Sequence, residues 1–330
     1  MSERLAFRLD GRGGAKEIAF PEVIADAVGE GVLWLHLSGQ PDEIDGWVEA
    51  SGLDPLAVAA LTAEETRPRC TVHEETILMN LRGVNLSPGA EPEDMVSLRS
   101  YLSERLVVTL QRRPLYAVRD VLAECQAGHG PDSPGELIAR IALRLADRAE
   151  PVVMSLNERI DDLEDQALEA KGMVRRGDLA DVRRVAIMLR RYMFPQRDAL
   201  TTLEIEDAPW LHRAGRGRLR EATERVTRLA EDLDAIRDRS QIVHDQIMDA
   251  RAEAMNRQML ILSVVAALFL PLGLITGLLG INVGGIPGAE TGWAFWGVCG
   301  FLGVVVVFQL WLFRWMGLIG KGRGQSAGLP

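Results

Sequence analysis

The stretch that decides the fold lies at residues 259–282 and reads MLILSVVAALFLPLGLITGLLGIN. It holds no charged residue, and about 20 predominantly apolar residues are enough for a helix to cross a bilayer. A second apolar run at 293–313 follows after the short segment 283–292. The sequence therefore predicts two membrane helices joined by a small external loop, and a tail at 314–330.

Charge divides the chain into an acidic head and a weakly basic foot. Residues 1–258 hold 34 Lys and Arg against 46 Asp and Glu, a net charge of −12, whereas residues 259–330 hold 3 against 1, a net charge of +2. Basic residues flank the spans on their outer sides and are absent from the loop, so the positive-inside rule places both termini in the cytoplasm. The acidic head argues against a nucleic-acid partner; it fits a vestibule that gathers cations or simply a soluble surface.

Residues 1–132 have the pattern of a cytoplasmic α/β domain. Apolar runs of strand length occur at 5–9 and 32–37, and two hairpins are predicted within 70–84 and 95–111. Short helices are expected after Asp42 and Asp54, and a longer one from Pro114 to about residue 126. The glycine-rich stretch at 11–14 lacks the lysine of a phosphate-binding loop and is interpreted as a surface turn.

Residues 133–258 change to helical periodicity and form the predicted stalk. We expect one helix from 133 to about 171, a second from 178 to about 203, and a third after a break at Pro209, Gly215 and Gly217. The third continues into the membrane without interruption, giving about 65 residues and roughly 100 Å. Its predicted apolar seam, with alternating steps of three and four, consists of Leu219, Ala222, Val226, Leu229, Leu233, Ile236, Ser240, Val243, Ile247, Ala250 and Ala254.

Along the opposite face of this helix, from its N-terminal to its C-terminal end, the side chains are first acidic, then polar and finally small. We call this face the pore line; its main members are Asp245, Asp249, Asn256, Met259, Ser263, Leu270, Gly273 and Gly277. One helix cannot enclose a pore, so this face lines a channel only if several copies surround an axis. The alternative is that the small residues allow close helix packing.

The end of the first span carries a resemblance to a known family. Residues 271–288, PLGLITGLLGINVGGIPG, resemble the CorA family of divalent-cation transporters, with Gly280-Ile281-Asn282 in place of the family's Gly-Met-Asn signature. Together with RYMFPQR at 191–197, this variant is similar to the ZntB-like zinc-transporting branch. The resemblance implies a homopentameric funnel in the bacterial inner membrane, with the long helix lining the pore and Asn282 at its outer mouth.

The residue chemistry of these segments suits a pore for hydrated cations. A ring of Asn282 amides beside Gly280 and Ile281 would offer neutral oxygen dipoles, although Asn also commonly caps helices. The first span contains no His, Cys or carboxylate, so we expect it to hold no metal tightly. No prosthetic group is expected, and the resemblance to the zinc-transporting branch implies Zn²⁺ as substrate. His244, Asp245 and Asp249 form either an inner cation site or a solvated helix face.

These observations predict transport of divalent cations, with Zn²⁺ first, by a lipid-embedded homo-oligomer. The resemblance implies coupling to the proton gradient, although the spans offer no acidic or histidine relay. A Mg²⁺, Co²⁺ or Ni²⁺ channel of the same architecture is the nearest alternative. A membrane-tethered cation sensor or scaffold is the alternative of another class. An enzyme is not expected, because the head shows no nucleophile–base or metal-ligand spacing.

Overall fold

A computed structural model describes residues 3–24, 29–64, 66–168, 176–281, 286, 288 and 291–317 of the chain. The chain divides into two compact units, Met1–Gln246 and Ile247–Pro330. The first unit contains a sheet, its covering helices and most of the stalk. The second contains the apolar helical segments.

A seven-stranded mixed sheet forms the centre of the first unit. Its strands, in chain order, are β1 Glu3–Leu9, β2 Ala15–Ile18, β3 Val32–Ser38, β4 Arg69–His73, β5 Thr76–Gly83, β6 Val96–Leu102 and β7 Leu106–Gln111. Their order across the sheet is β2-β1-β3-β7-β6-β5-β4. Strands β3 and β7 pair in parallel and every other neighbouring pair is antiparallel. The predicted strands and both hairpins are confirmed.

The sequence analysis did not predict strand β2. β2 has only four residues, and its Lys16 and Glu17 are exposed, so it gives neither the length nor the apolar alternation of a typical strand. The glycine-rich stretch before it is the turn of the β1–β2 hairpin, as expected. Asp10 Oδ1 fixes this turn by accepting hydrogen bonds from the Arg12 and Gly14 backbone nitrogens at 2.7 and 2.8 Å.

The two faces of the sheet have different cores. Leu33, Leu35 and Leu37 point to the face covered by the short helices α1 Pro41–Ala50 and α2 Pro55–Thr62. Because side chains alternate along a strand, Trp34 and His36 point to the other face. There the indole Nε1 of Trp34 donates to Thr109 Oγ1 at 2.9 Å, and His36 Nδ1 lies 2.9 Å from the same oxygen.

Three further helices complete the first unit beside the start of the longest one. They are α3 Tyr116–Gln126, α4 Pro134–Leu168 and α5 Arg176–Ile205. All three match predicted helices to within a few residues.

The longest helix, α6, covers Arg213–Leu279, which is 67 residues. It begins before Gly215 and Gly217, so the expected break at these glycines is wrong. Gly215 is buried where α6 approaches the start of α4: a Cβ on it would lie 3.3 Å from the Glu136 nitrogen. A glycine is therefore needed here for close approach and does not end the helix. The seam residues from Leu219 to Val243 are all buried, as predicted, whereas Ala250 and Ala254 are exposed.

The second unit contains the rest of α6 and the helix α7 Ala294–Trp315. Both helices are long and apolar enough to span a membrane, and their apolar windows are not buried within the chain. The helix α6, which contains the first predicted span, ends at Leu279 instead of residue 282. The Gly280 nitrogen turns back to the Thr276 and Gly277 carbonyls at 2.9 and 3.2 Å. The helix α7 extends two residues beyond the predicted limit of the second span.

Candidate ion pathway

A single helix, α6, supplies every described residue of the pore line. At 100° per residue, Leu270 lies 200° round the helix from Leu268. The less exposed side chains of this part of α6 include Val264, Leu268, Pro271 and Ile275, which lie on the side away from the pore line. The polar and small face is therefore distinct from the partly covered face.

The membrane part of the pore line is open in the single chain. Met259 and Leu270 expose 59% and 78% of their surface, and Asn256 and Ser263 are exposed as well. A Cβ built on Gly273 or Gly277 would meet no atom within 4 Å. This face is thus available to a second copy of the chain or to a water-filled axis.

The C-terminal end of α6 presents backbone oxygen beside the motif predicted to form the outer mouth, Gly280-Ile281-Asn282. The last turn of a helix leaves carbonyl groups without helical partners and carries partial negative charge, which favours a cation nearby. Gly280 closes this turn and Ile281 is 48% exposed. Asn282, the third member of the motif, lies outside the described residues.

The three residues of the predicted inner cation site are solvent-exposed. His244 and Asp245 belong to the first unit, and Asp245 Oδ1 accepts a hydrogen bond from Gln241 Nε2 at 2.9 Å. Asp249 belongs to the second unit and is also exposed. Within the part of the chain that the structure describes, no three His, Cys, Asp or Glu side chains are grouped as a metal site. One chain alone therefore offers these residues as separate exposed groups.

Burial keeps two cysteines and one histidine of the first unit in their uncharged forms. Burial, reinforced by the charge of Glu206, raises the pKa of the Cys70 thiol to about 12, and burial raises the pKa of Cys125 to about 12. Zinc binds thiolates, so binding at either cysteine would have to displace a proton. Burial lowers the pKa of His36 to about 4, which keeps its ring neutral inside the sheet.

The RYMFPQR stretch holds α5 in place. Arg190, which directly precedes this stretch, forms an ion pair with Asp234 of α6. Two contacts to the sheet were not foreseen. The Arg82 guanidinium of β5 lies 4.2 Å from the Tyr192 ring centre, and the Arg82 backbone nitrogen donates to Gln196 Oε1 at 2.6 Å. The stretch therefore attaches the stalk helices to the α/β sheet.

Comparison with known proteins identifies a family that matches most of this chain. The family model described as CorA-like Mg²⁺ transporter protein matches residues 29–315. The chain belongs to the CorA-like family. This family is one of membrane transporters, and its match extends over both compact units.

Individual members of the CorA-like family support the assignment at both sequence and fold level. The chain is 38% identical to the divalent cation transporter CmaX of Pseudomonas aeruginosa, over 93% of each chain. It is 37% identical to the zinc transport protein ZntB of Yersinia enterocolitica, over 94% of each. The solved structure of full-length CmaX matches with a TM-score of 0.80 and 38% identity, covering 95% of this chain and 98% of that one. The expected fold, an α/β domain with a long helix and C-terminal apolar helices, is thereby confirmed.

Proposed function

We propose that this protein transports divalent cations, with Zn²⁺ as the first candidate, across the bacterial cytoplasmic membrane. The observation that carries the proposal is the unbroken helix α6, which joins a buried seam in the α/β unit to an exposed polar and small face in the apolar unit. Membership of the CorA-like family and the similarity to proteins named as a zinc and a divalent cation transporter support it.

In this proposal, five copies surround one axis, both chain ends lie in the cytoplasm, and lipid covers the outer apolar surface. The pore lines of the copies face the axis, which explains why each is exposed in a single chain. Five is the number that the family resemblance implies. Apolar side chains such as Leu262 and Phe269, 70% and 65% exposed, then meet lipid or neighbouring helices.

The proposed ion path combines a neutral outer mouth with a narrow apolar section. Asn282, Gly280 and Ile281 form the outer mouth, where amide and carbonyl oxygens bind the water shell of the ion. Met259 and Leu270 narrow the path and can gate it by excluding water. At the cytoplasmic end, exposed Asp245 and Asp249 with His244 attract cations and do not hold one tightly.

Ion flux into liposomes that contain the purified protein tests the proposal. Zn²⁺ and Mg²⁺ uptake would be compared with and without an imposed pH gradient, for wild type, Asn282→Ala and the control Asn157→Ala. Asn157 is an exposed asparagine of α4 outside the pore line, and its contact to α6 is one exposed hydrogen bond from Arg239 Nη1 at 3.3 Å, so its replacement should leave the flux unchanged. We expect Zn²⁺ flux that Asn282→Ala reduces at least tenfold.

Each other outcome selects a different function. Mg²⁺ flux that exceeds Zn²⁺ flux and is indifferent to the pH gradient would indicate a CorA-type channel for Mg²⁺, Co²⁺ or Ni²⁺. Zn²⁺ flux that needs the gradient would show proton coupling without an acidic or histidine side chain in either span. No flux of either ion, from protein shown to be folded and inserted, would refute transport and favour a cation sensor or scaffold.

A further inference from the structure

A basic pocket of about 210 Å³ lies in the first unit, between β5–β7 and the end of α2. Strand register assembles it: Arg99 of β6 stands opposite Asn80 of β5 and Leu110 of β7. Directly opposed residues share a face, and Leu110 belongs to the core under α1 and α2. The pocket therefore opens on the α1–α2 face, remote in sequence from the predicted ion path.

The floor of the pocket is a buried guanidinium with unused donors. Arg99 is 2% exposed, and its Nη2 donates to the Ala63 carbonyl at 3.0 Å. Its Nε and Nη1 are buried and make no hydrogen bond to any residue that the structure describes. A buried charge with unmet hydrogen bonds is strongly unfavourable unless a partner satisfies it. Burial and the nearby charge of Arg112 lower the pKa of Arg99 to about 10, so the group stays cationic at neutral pH.

Two further arginines are held in place around this floor. The Arg82 guanidinium donates to the Thr66 carbonyl at 2.9 Å and to the Met95 carbonyl at 3.1 Å. Arg112 donates to the Thr62 carbonyl at 3.0 Å, and its Nε is buried without a partner in the described chain. Because these contacts fix the side chains before any ligand arrives, binding would require little further ordering.

The charge of the lining favours an anion. Arg82, Arg99, Arg112 and the exposed Arg113 contribute four positive charges. Among the residues that the structure describes, two carboxylates oppose them: the exposed Glu64 in the lining and Asp45, whose Oδ2 lies 3.4 Å from Arg112 Nη2. The net positive charge of these described groups favours an anion. Ser97 and Thr66 add hydroxyl groups to the same lining.

We propose that this pocket binds a phosphate-class oxyanion, either inorganic phosphate or the phosphate group of a nucleotide. Guanidinium groups present planar pairs of donors that match the oxygen spacing of phosphate, and charge-assisted bonds of this kind are among the strongest in proteins. The volume far exceeds the roughly 15 Å³ that a single water requires, so a tetrahedral oxyanion is accommodated. Neither the ion path nor the proposed transport activity is needed for this binding.

Bound phosphate would act as a structural effector of the cytoplasmic unit. It would join Arg99 on the sheet to Arg112, whose side chain holds the end of α2. Through Arg82, which stacks on Tyr192, it would also tighten the attachment of α5. The expected consequence is a more stable attachment between the sheet and the stalk helices when phosphate is present.

Titration calorimetry and thermal unfolding of the full chain in detergent test this inference, with sodium phosphate compared with sodium chloride at equal ionic strength. We expect saturable heat and a rise in melting temperature with phosphate alone. Arg113→Gln, at the exposed rim, should weaken binding about tenfold without unfolding the protein. Asp45→Asn removes an opposing charge and should tighten binding several-fold. Arg105→Gln, an exposed arginine at the other end of β7, is the matched control and should bind like wild type.

The variants separate a binding site from an internal structural cluster. If phosphate acts no differently from chloride, or if Arg113→Gln and Asp45→Asn both bind as wild type does, the inference is wrong. Arg99→Met should abolish phosphate binding. If this variant does not fold, Arg113→Gln and Asp45→Asn still test whether the pocket binds phosphate. Tighter binding of adenosine monophosphate than of inorganic phosphate would assign a nucleotide, and equal or weaker binding would assign the free ion.

Discussion

Replacing the buried imidazole of His36 should remove a specific loss of stability at mildly acidic pH. In the folded chain burial lowers the pKa of His36 from 6.5 to about 4, so the folded state stays unprotonated where the unfolded state binds a proton. Stability contributed by the neutral ring is thus complete above about pH 6.5 and falls as pH decreases toward about 4. At pH 5 the two pKa values give a loss of about 2 kcal/mol relative to pH 7.5.

Hydrogen exchange of the β3 and β7 amides in the full chain measures this loss. His36→Gln keeps a polar side chain of similar size next to Thr109 but has no proton to gain. Its opening free energy should therefore fall by about 2 kcal/mol less than that of wild type between about pH 7.5 and about pH 5. The control Leu35→Val removes one buried methylene from the same strand, costs about 1 kcal/mol at both pH values, and keeps the wild-type pH dependence. Equal pH dependence in His36→Gln and wild type would refute the reasoning.

Other predictions concern the packing of the helices on one another and on the sheet. Leu233→Ala, at a fully buried seam position, should lower unfolding free energy in denaturant by about 2–5 kcal/mol, whereas Ile242→Ala, 54% exposed, should change it by less than about 1 kcal/mol. A double-mutant cycle of Arg190→Met and Asp234→Asn should give a coupling of up to about 1 kcal/mol that diminishes in high salt, because both side chains are partly exposed. A coupling of zero would show that this ion pair does not hold α5 to α6. Gly83→Ala should lower the melting temperature, because its Cβ would lie 2.6 Å from a leucine side chain of α4.

Periodicity identified the buried face of α6 but not what covers it. The steps of three and four residues are a local property of the helix, and every seam residue up to Val243 is buried. The covering elements are helices of the same chain: Arg225 pairs with Asp147 of α4, and Arg190 of α5 pairs with Asp234. Those partners lie far apart in sequence, and no local pattern encodes which helix packs against which.

The arginine pocket also could not be predicted from local sequence patterns. Arg82, Arg99, Arg112 and Arg113 come from three strands or the residues just after them, and no spacing between them suggests a common ligand. Strand register brings them together, and carbonyls at the end of α2 fix the direction of Arg99 and Arg112. The break expected at Gly215 failed for a related reason, because a glycine that permits helix contact has the same letter as one that ends a helix.

In the membrane part of the proposed pore, selectivity must come from hydration and charge, because the ligands that distinguish zinc are absent from this section of the ion path. Zinc is distinguished from magnesium by imidazole and thiolate ligands, yet residues 259–282 contain no histidine or cysteine. Stripping the water from a divalent ion beside Met259 and Leu270, without compensating ligands, would cost more than the tens of kcal/mol for a buried single charge, because this penalty scales with the square of the charge. The ion must therefore cross this section with its water. Asn282→Asp, which adds charge at the outer mouth without changing size, should raise the apparent affinity for Zn²⁺ and Mg²⁺ alike, and a gain confined to Zn²⁺ would show direct coordination instead.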